Sequence, residues 1–142
     1  MAPMPSPVTQ VPCAESTAAV RHFAAPFAFE TDCWDVHQAL ARDPDFVVLD
    51  VRSAECYARG HVPGAVHLPH RKIIESQLAA YPAHTVFVVY CAGPHCNGAQ
   101  RGALRLAQLG RPVKLMIGGM CGWRDEGFAV ECGAREAAPA GS

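Results

Sequence analysis

No stretch of this 142-residue chain holds the roughly 20 consecutive apolar residues that a membrane-spanning helix needs. The first ten residues carry neither the basic cluster nor the apolar core of a secretion signal, so the chain is expected to be soluble and cytoplasmic. An excess of charge of one sign is also missing. Twelve Lys and Arg stand against thirteen Asp and Glu, a formal net charge of −1, which leaves no basic field to attract nucleic acid or an anionic membrane. Internal repeats are absent. Close-spaced cysteine pairs are scarce as well. Of the seven cysteines, at 13, 33, 56, 91, 96, 121 and 132, only Cys91 and Cys96 lie near each other, and no second pair completes a four-ligand zinc site. Free thiols, no metal and no other cofactor are the expectation. Apolar residues make up 50% of the chain, enough to close one core without staples.

The stretch from Thr85 to Ala99 organises the rest. Val86 to Tyr90 is an unbroken run of β-branched and aromatic residues followed by Gly93 and Pro94, which predicts a strand buried on both faces, with Cys91 as its last residue. After the loop Ala92-Gly93-Pro94-His95-Cys96, Asn97 is a predicted N-cap. Helical spacing then sets Ala99, Ala103, Leu106 and Ala107 against Arg101, Arg105 and Gln108, and Gly110 and Pro112 supply a stop. A thiol therefore sits where a parallel strand feeds a helix N-terminus, the part of an open α/β sheet where ligands bind. Loop N–H groups and the helix dipole both favour an anion there, and a thiolate is an anion.

Residues 1–25 read as a proline-rich tail, Met1 to Pro12, followed by a short outer helix within Cys13 to Ala25. Residues 26–132 read as the domain, and 133–142 as a second tail. Pro26 to Glu30 is predicted as a first strand, with Thr31 or Asp32 capping a helix through Trp34, Val36, His37, Leu40 and Ala41. Phe46 to Asp50 is a second buried strand, whose Asp50 shares the sheet edge of Cys91 and serves either as a loop anchor or as a cap. A short helix ends at Gly60. The turn His61-Val62-Pro63-Gly64-Ala65 precedes a third strand, Val66 to Leu68, with His61 read as a structural hydrogen-bond donor. Pro69 to Lys72 opens a helix carrying Ile73, Ile74 and Leu78, its Arg71-Lys72 pair solvated or lining an anion site. Val113 to Met116 is the fifth strand, and a helical stretch runs through Trp123 to Glu126. Between them, Gly118-Gly119 is read as close packing beneath the Cys91 loop rather than a phosphate cradle.

Alternating strands and helices imply an α/β domain with a parallel sheet. Leu49-Asp50-Val51-Arg52, Tyr57 with Gly60-His61-Val62-Pro63-Gly64-Ala65, Val88-Val89-Tyr90-Cys91, and Ile117-Gly118-Gly119 with Trp123 stand in one order. Together they resemble the rhodanese-like sulfurtransferase domain over Phe27 to Val130. The resemblance implies a single-domain rhodanese with a five-stranded parallel sheet flanked by helices on both faces. It further implies that Cys91 accepts a sulfane sulfur from a small-molecule donor and passes it to a thiol or cyanide-like acceptor. Residues 92–97 would form the active loop and Asp50, Arg52, Gly118 and Gly119 its support.

The loop departs from the family pattern. Ala92-Gly93-Pro94-His95-Cys96 holds no fixed cation and Asn97 opens the helix, so a persulfide or polysulfide stands level with thiosulfate as the donor. A phosphatase is a weaker rival, because a Cys-x5-Arg cradle needs five intervening residues and Cys96 to Arg101 has four. A second rival, a non-catalytic or redox-sensing module using a Cys91/Cys96 thiol pair, stays open.

Overall fold

The computed structural model describes residues 4–133. Its strands are β1 (Glu30–Asp32), β2 (Phe46–Asp50), β3 (Val66–His67), β4 (Val86–Tyr90) and β5 (Val113–Ile117). They form one sheet in the order β1-β5-β4-β2-β3, and every neighbouring pair is parallel. The helices are α1 (Ser16–Ala24), α2 (Pro26–Phe29), α3 (Cys33–Leu40), α4 (Ala54–Arg59), α5 (Glu75–Leu78), α6 (Gly98–Gln108) and α7 (Gly119–Asp125), with a 3₁₀ turn at His70–Lys72.

Period-two alternation along the central strands divides the core. Val48, Val88, Tyr90 and Met116 point to one face, where they meet Cys33 and Val36 of α3, Tyr57 of α4, and Met120 and Trp123 of α7. Leu49, Phe87 and Val89 point to the other, packing with Leu78 of α5, Ala99 and Leu106 of α6, and Ile73. Cys91 belongs to this second face, so its sulfur is directed at α6 while the preceding Tyr90 looks the opposite way.

Several sequence expectations need correction. Pro26 to Phe29 is helical, and the strand begins at Glu30, paired with Leu115. Proline at the first helical positions is pre-organised for a helix, and Phe27, 74% exposed, has no core to enter. Of the two caps expected for α3, Asp32 takes the place, as the sequence allowed, accepting from the Asp35 N–H at 2.8 Å. The predicted helix after Pro69 is broken at Ile73, whose extended backbone sends its side chain into the core, and resumes at Glu75. Strand β4 stops one residue before Cys91. On α6, Ala107 is exposed and Gly102 takes the buried place. Helix α1 forms but buries no residue. Residues 1–3 and 134–142 of the two expected tails lie outside the described residues.

Cys33 illustrates how closely the glycine turn is packed. Its thiol faces the carbonyls of Ile117 and Gly119, each at 3.6 Å, and a Cβ on Gly122 would stand 3.3 Å from its sulfur. Burial, with Asp32 and Glu126 nearby, raises the thiol's pKa from 9.0 to about 11. A pKa raised on folding leaves stability unaffected below the unfolded value and lowers it as the pH climbs from 9.0 towards about 11. Denaturation measured across that range should show wild type losing stability relative to Cys33→Ala as the pH rises. Parallel curves for the two proteins would contradict the packing assigned to this thiol.

Candidate active site

The site is built from the carboxyl end of the sheet. Asp50 and Tyr90 end neighbouring strands in register, so their side chains fall side by side on one face. The Tyr90 hydroxyl donates to Asp50 Oδ2 at 2.6 Å and accepts from the Val62 N–H at 3.1 Å. Arg52 closes the other side of the carboxylate, with Nε to Oδ1 at 3.0 Å, Nη2 to Oδ2 at 2.7 Å and its own N–H to Oδ1 at 3.0 Å. The same Nη2 donates to the Gly60 carbonyl at 2.7 Å. Asp50 has no exposed surface, and this fork of donors satisfies it. Burial of the guanidinium works to lower its pKa, but the hydrogen bonds and charge of Asp50 outweigh it, and the net direction is upward. Burial and the adjacent carboxylate raise the Tyr90 pKa, keeping the phenol a neutral donor. Asp50 caps the turn through the Arg52 N–H and also ties the ends of β2 and β4 together through Arg52 and Tyr90.

His61 is buried and structural. Its Nδ1 donates to the Tyr57 carbonyl at 2.8 Å, its ring stacks on Tyr57 with centroids 3.7 Å apart, and its backbone pairs with Glu131. Arg71 and Lys72 are exposed.

From this platform the chain enters the loop of residues 92–97. Cys91 is 6% exposed, Cys96 is partly buried, and the two are joined as a disulfide with Cα atoms 6.5 Å apart. The expectation of free thiols is therefore corrected for this pair. A turn from the Gly93 carbonyl to the Cys96 N–H, 3.2 Å, folds the loop back on itself. Ala92, Pro94 and His95 are exposed on its outer side. Asn97 begins the helix without a side-chain cap; its Oδ1 instead accepts from Arg101 Nε at 3.2 Å. That contact holds the exposed Arg101 against Asn97, the last residue of the loop.

Helix α7 supports the loop from below. The N–H groups of Met120 and Cys121 donate to the carbonyls of Cys91 and Ala92 at 2.9 and 2.8 Å. In a trans peptide the N–H points opposite to the carbonyl, so the amides of Ala92 and Gly93 face away from α7. The approach is possible because residue 119 is glycine. With φ +59°, a Cβ there would lie 2.5 Å from the Cys91 carbonyl oxygen and 2.9 Å from the Gly93 nitrogen. Gly118, at φ +87°, makes the turn that delivers it.

Two contributors, Gly98 and Tyr90, were not singled out from the sequence. A Cβ on Gly98 would stand 2.8 Å from Cys91 Sγ and 3.4 Å from Cys96 Sγ, so a side-chain-free first helical residue makes room for both sulfurs. Its spacing of four from Gly102, on the buried face of α6, was the available signal. Tyr90 was read only as strand, since nothing local marks a hydroxyl that bonds across strands. Cys121 lies beside the loop, where a Cβ on Gly93 would come within 3.6 Å of its sulfur. A cleft of about 330 Å³ lined by Asp35, Phe46, Val86 and Lys114 opens at the opposite edge, where β2 and β4 begin.

Comparison with known proteins follows the same lines. A family model described as the rhodanese-like domain matches residues 34–126. An HTH-type transcriptional regulator of Mycobacterium tuberculosis is 37% identical over 91 residues, covering 63% of this chain and 39% of the regulator. The chain thus spans about two-fifths of that curated relative's length. The crystal structure of a Bacillus halodurans protein is 38% identical with a TM-score of 0.80, over 83% of this chain and 87% of that one. A thiosulfate sulfurtransferase from Pseudomonas aeruginosa is 21% identical with a TM-score of 0.63, over 80% of this chain and 22% of that one; it shares the fold.

Two substitutions test the geometry. Gly119→Ala forces a Cβ against three backbone atoms of the loop and should lower any activity of Cys91 by about ten-fold or more, a barrier change near 1.4 kcal/mol. Its Trp123 fluorescence should stay native, and full activity would refute the support role. Asp50→Asn leaves Arg52 with an uncompensated buried charge and should cost about 3–5 kcal/mol in chemical denaturation.

Proposed function

The chain belongs to the rhodanese-like domain family, and we propose that it is a sulfurtransferase carrying a sulfane sulfur on Cys91. The observation that carries this reading is the seat of Cys91: just past a central parallel strand, facing the start of α6, where α7 binds the carbonyls of Cys91 and Ala92. Amides turned away from α7, together with the first turn of α6, favour a thiolate and then a persulfide anion. The same surroundings serve both halves of a ping-pong cycle. In the first half the Cys91 thiolate attacks the donor's sulfane sulfur and the remainder of the donor leaves as an anion. In the second, a thiol or cyanide-like acceptor takes the outer sulfur and Cys91 departs as thiolate. The disulfide must be opened by a thiol before the first half can begin.

Donor choice follows from charge. Residues 92–97 hold no Lys or Arg of their own, and the guanidinium beside them, Arg101, is engaged by Asn97 Oδ1, so the doubly charged thiosulfate finds little compensation, whereas a persulfide presents a single charge at its reacting end. The activity calls for no cofactor and no nucleic-acid or membrane partner, and a cytoplasmic location suits its need for thiols. A second reading, a redox-sensing module, is favoured by the Cys91–Cys96 pairing and by the likeness to a protein named as a transcriptional regulator. Thiol titration with and without a mild reductant, run beside a turnover assay, separates the two: a pure redox module titrates but transfers no sulfur.

For the reduced protein, kcat/KM with glutathione persulfide should exceed that with thiosulfate by about ten-fold or more, and His95→Arg should raise the thiosulfate value by about five- to ten-fold. Cys91→Ser should fall to background with both donors. Efficient use of thiosulfate at micromolar concentration would contradict the electrostatic argument.

A further inference from the structure

The sulfurtransferase reading leaves Cys96 without a task, although the fold takes care to seat it. The turn from Gly93 to Cys96 carries it back over Cys91, the Gly98 N–H donates to its sulfur at 3.4 Å, and Gly98 omits the Cβ that would separate the two sulfurs. The pairing joins Cys96 Sγ directly to Cys91 Sγ. Cys96 therefore addresses the inner sulfur of a Cys91 persulfide, and attack at that atom expels the outer one.

Resting on the Cys91 persulfide, we infer that Cys96 is a resolving thiol that discharges it as hydrosulfide. The Cys96 thiol gives its proton to the outer sulfur of the persulfide anion as its own sulfur forms a bond to Cys91 Sγ, the Cys91 Sγ–sulfane bond breaks, and the sulfane sulfur leaves as HS⁻ with both electrons of that bond. The sulfane sulfur is reduced and the two cysteine sulfurs are oxidised to the disulfide. Reset requires a low-molecular-weight dithiol or a dithiol protein. Its thiolate attacks the more exposed Cys96 sulfur, Cys91 leaves as thiolate, and the second thiol of the reductant releases Cys96 as it closes its own disulfide. The net reaction turns one persulfide and one dithiol into a thiol, hydrogen sulfide and a disulfide. Hydrosulfide is a weaker base than an alkyl thiolate, and a less basic sulfur leaves faster. The attack is intramolecular, so it prevails when no acceptor occupies the site.

Fully reduced protein, freed of reductant and kept anaerobic, is mixed with one equivalent of glutathione persulfide. Released sulfide and the intact mass after thiol blocking are followed in wild type, Cys96→Ser, Cys96→Ala and Cys121→Ser. Wild type and Cys121→Ser should release sulfide stoichiometrically and end as the Cys91–Cys96 disulfide, with no added sulfur. Both Cys96 variants should gain one sulfur atom and release sulfide about ten-fold or more slowly. If wild type holds the added sulfur as long as the Cys96 variants do, the resolving role is wrong and the sulfurtransferase reading stands. Loss of release in Cys121→Ser with retention in the Cys96 variants would move the resolving thiol to Cys121 and overturn the assignment. No uptake of sulfur by either Cys96 variant would remove both readings together.

Discussion

The buried carboxylate of Asp50 is the constraint on which the functional edge depends. An ionised carboxylate without water is costly, and here the cost is offset by bidentate Arg52, the Tyr90 hydroxyl and a backbone N–H. Each donor belongs to a different part of the edge. Arg52 reaches the end of α4 at Gly60, and Tyr90 reaches the turn at Val62 and ends the strand from which Cys91 follows. Removing one donor would strand the others, so the edge behaves as a unit rather than as independent loops. The position of Cys91 is thereby fixed by strand register and not by the loop that covers it.

The second constraint is steric. Only a glycine at 119, in the left-handed region, lets α7 come close enough to bind the carbonyls of Cys91 and Ala92. Gly98 plays a complementary part from the other side by leaving space for two sulfurs. The loop is thus shaped by missing side chains above and below it. Residues 92–97 carry no lysine or arginine, so the loop's own donors are backbone N–H groups.

Much of this was legible in the sequence because it rests on period-two patterning and on glycine. Phe46–Asp50 is a strand with the limits expected, Val86–Tyr90 falls one residue short of the predicted Cys91 end, and Gly118-Gly119 lies beneath the loop as close packing requires. The first strand was misplaced because Phe27 and Phe29 carry a strand-like pattern but remain exposed, and exposure is settled by tertiary packing. Asn97 has the composition of a cap, yet its side chain is drawn to Arg101 one turn on, a competition that no single position reveals. The bonds from Tyr90 to Asp50 and Val62 were unreadable for a similar reason. They join residues 40 and 28 positions apart, and only the β2–β4 register brings them together. Spacing allowed a bridge between Cys91 and Cys96; the turn at Gly93 and the absent Cβ of Gly98 are what bring the sulfurs together.

The central claim is that Cys91, seated at the end of β4, carries the transferred sulfur. A crystal structure of reduced Cys96→Ser protein treated with glutathione persulfide tests it most directly, since the variant cannot close the loop disulfide. The account predicts one added sulfur atom on Cys91 Sγ, lying within hydrogen-bonding reach of loop amides between residues 92 and 97. An unmodified Cys91, with the added sulfur on Cys121 or on another cysteine, would contradict it.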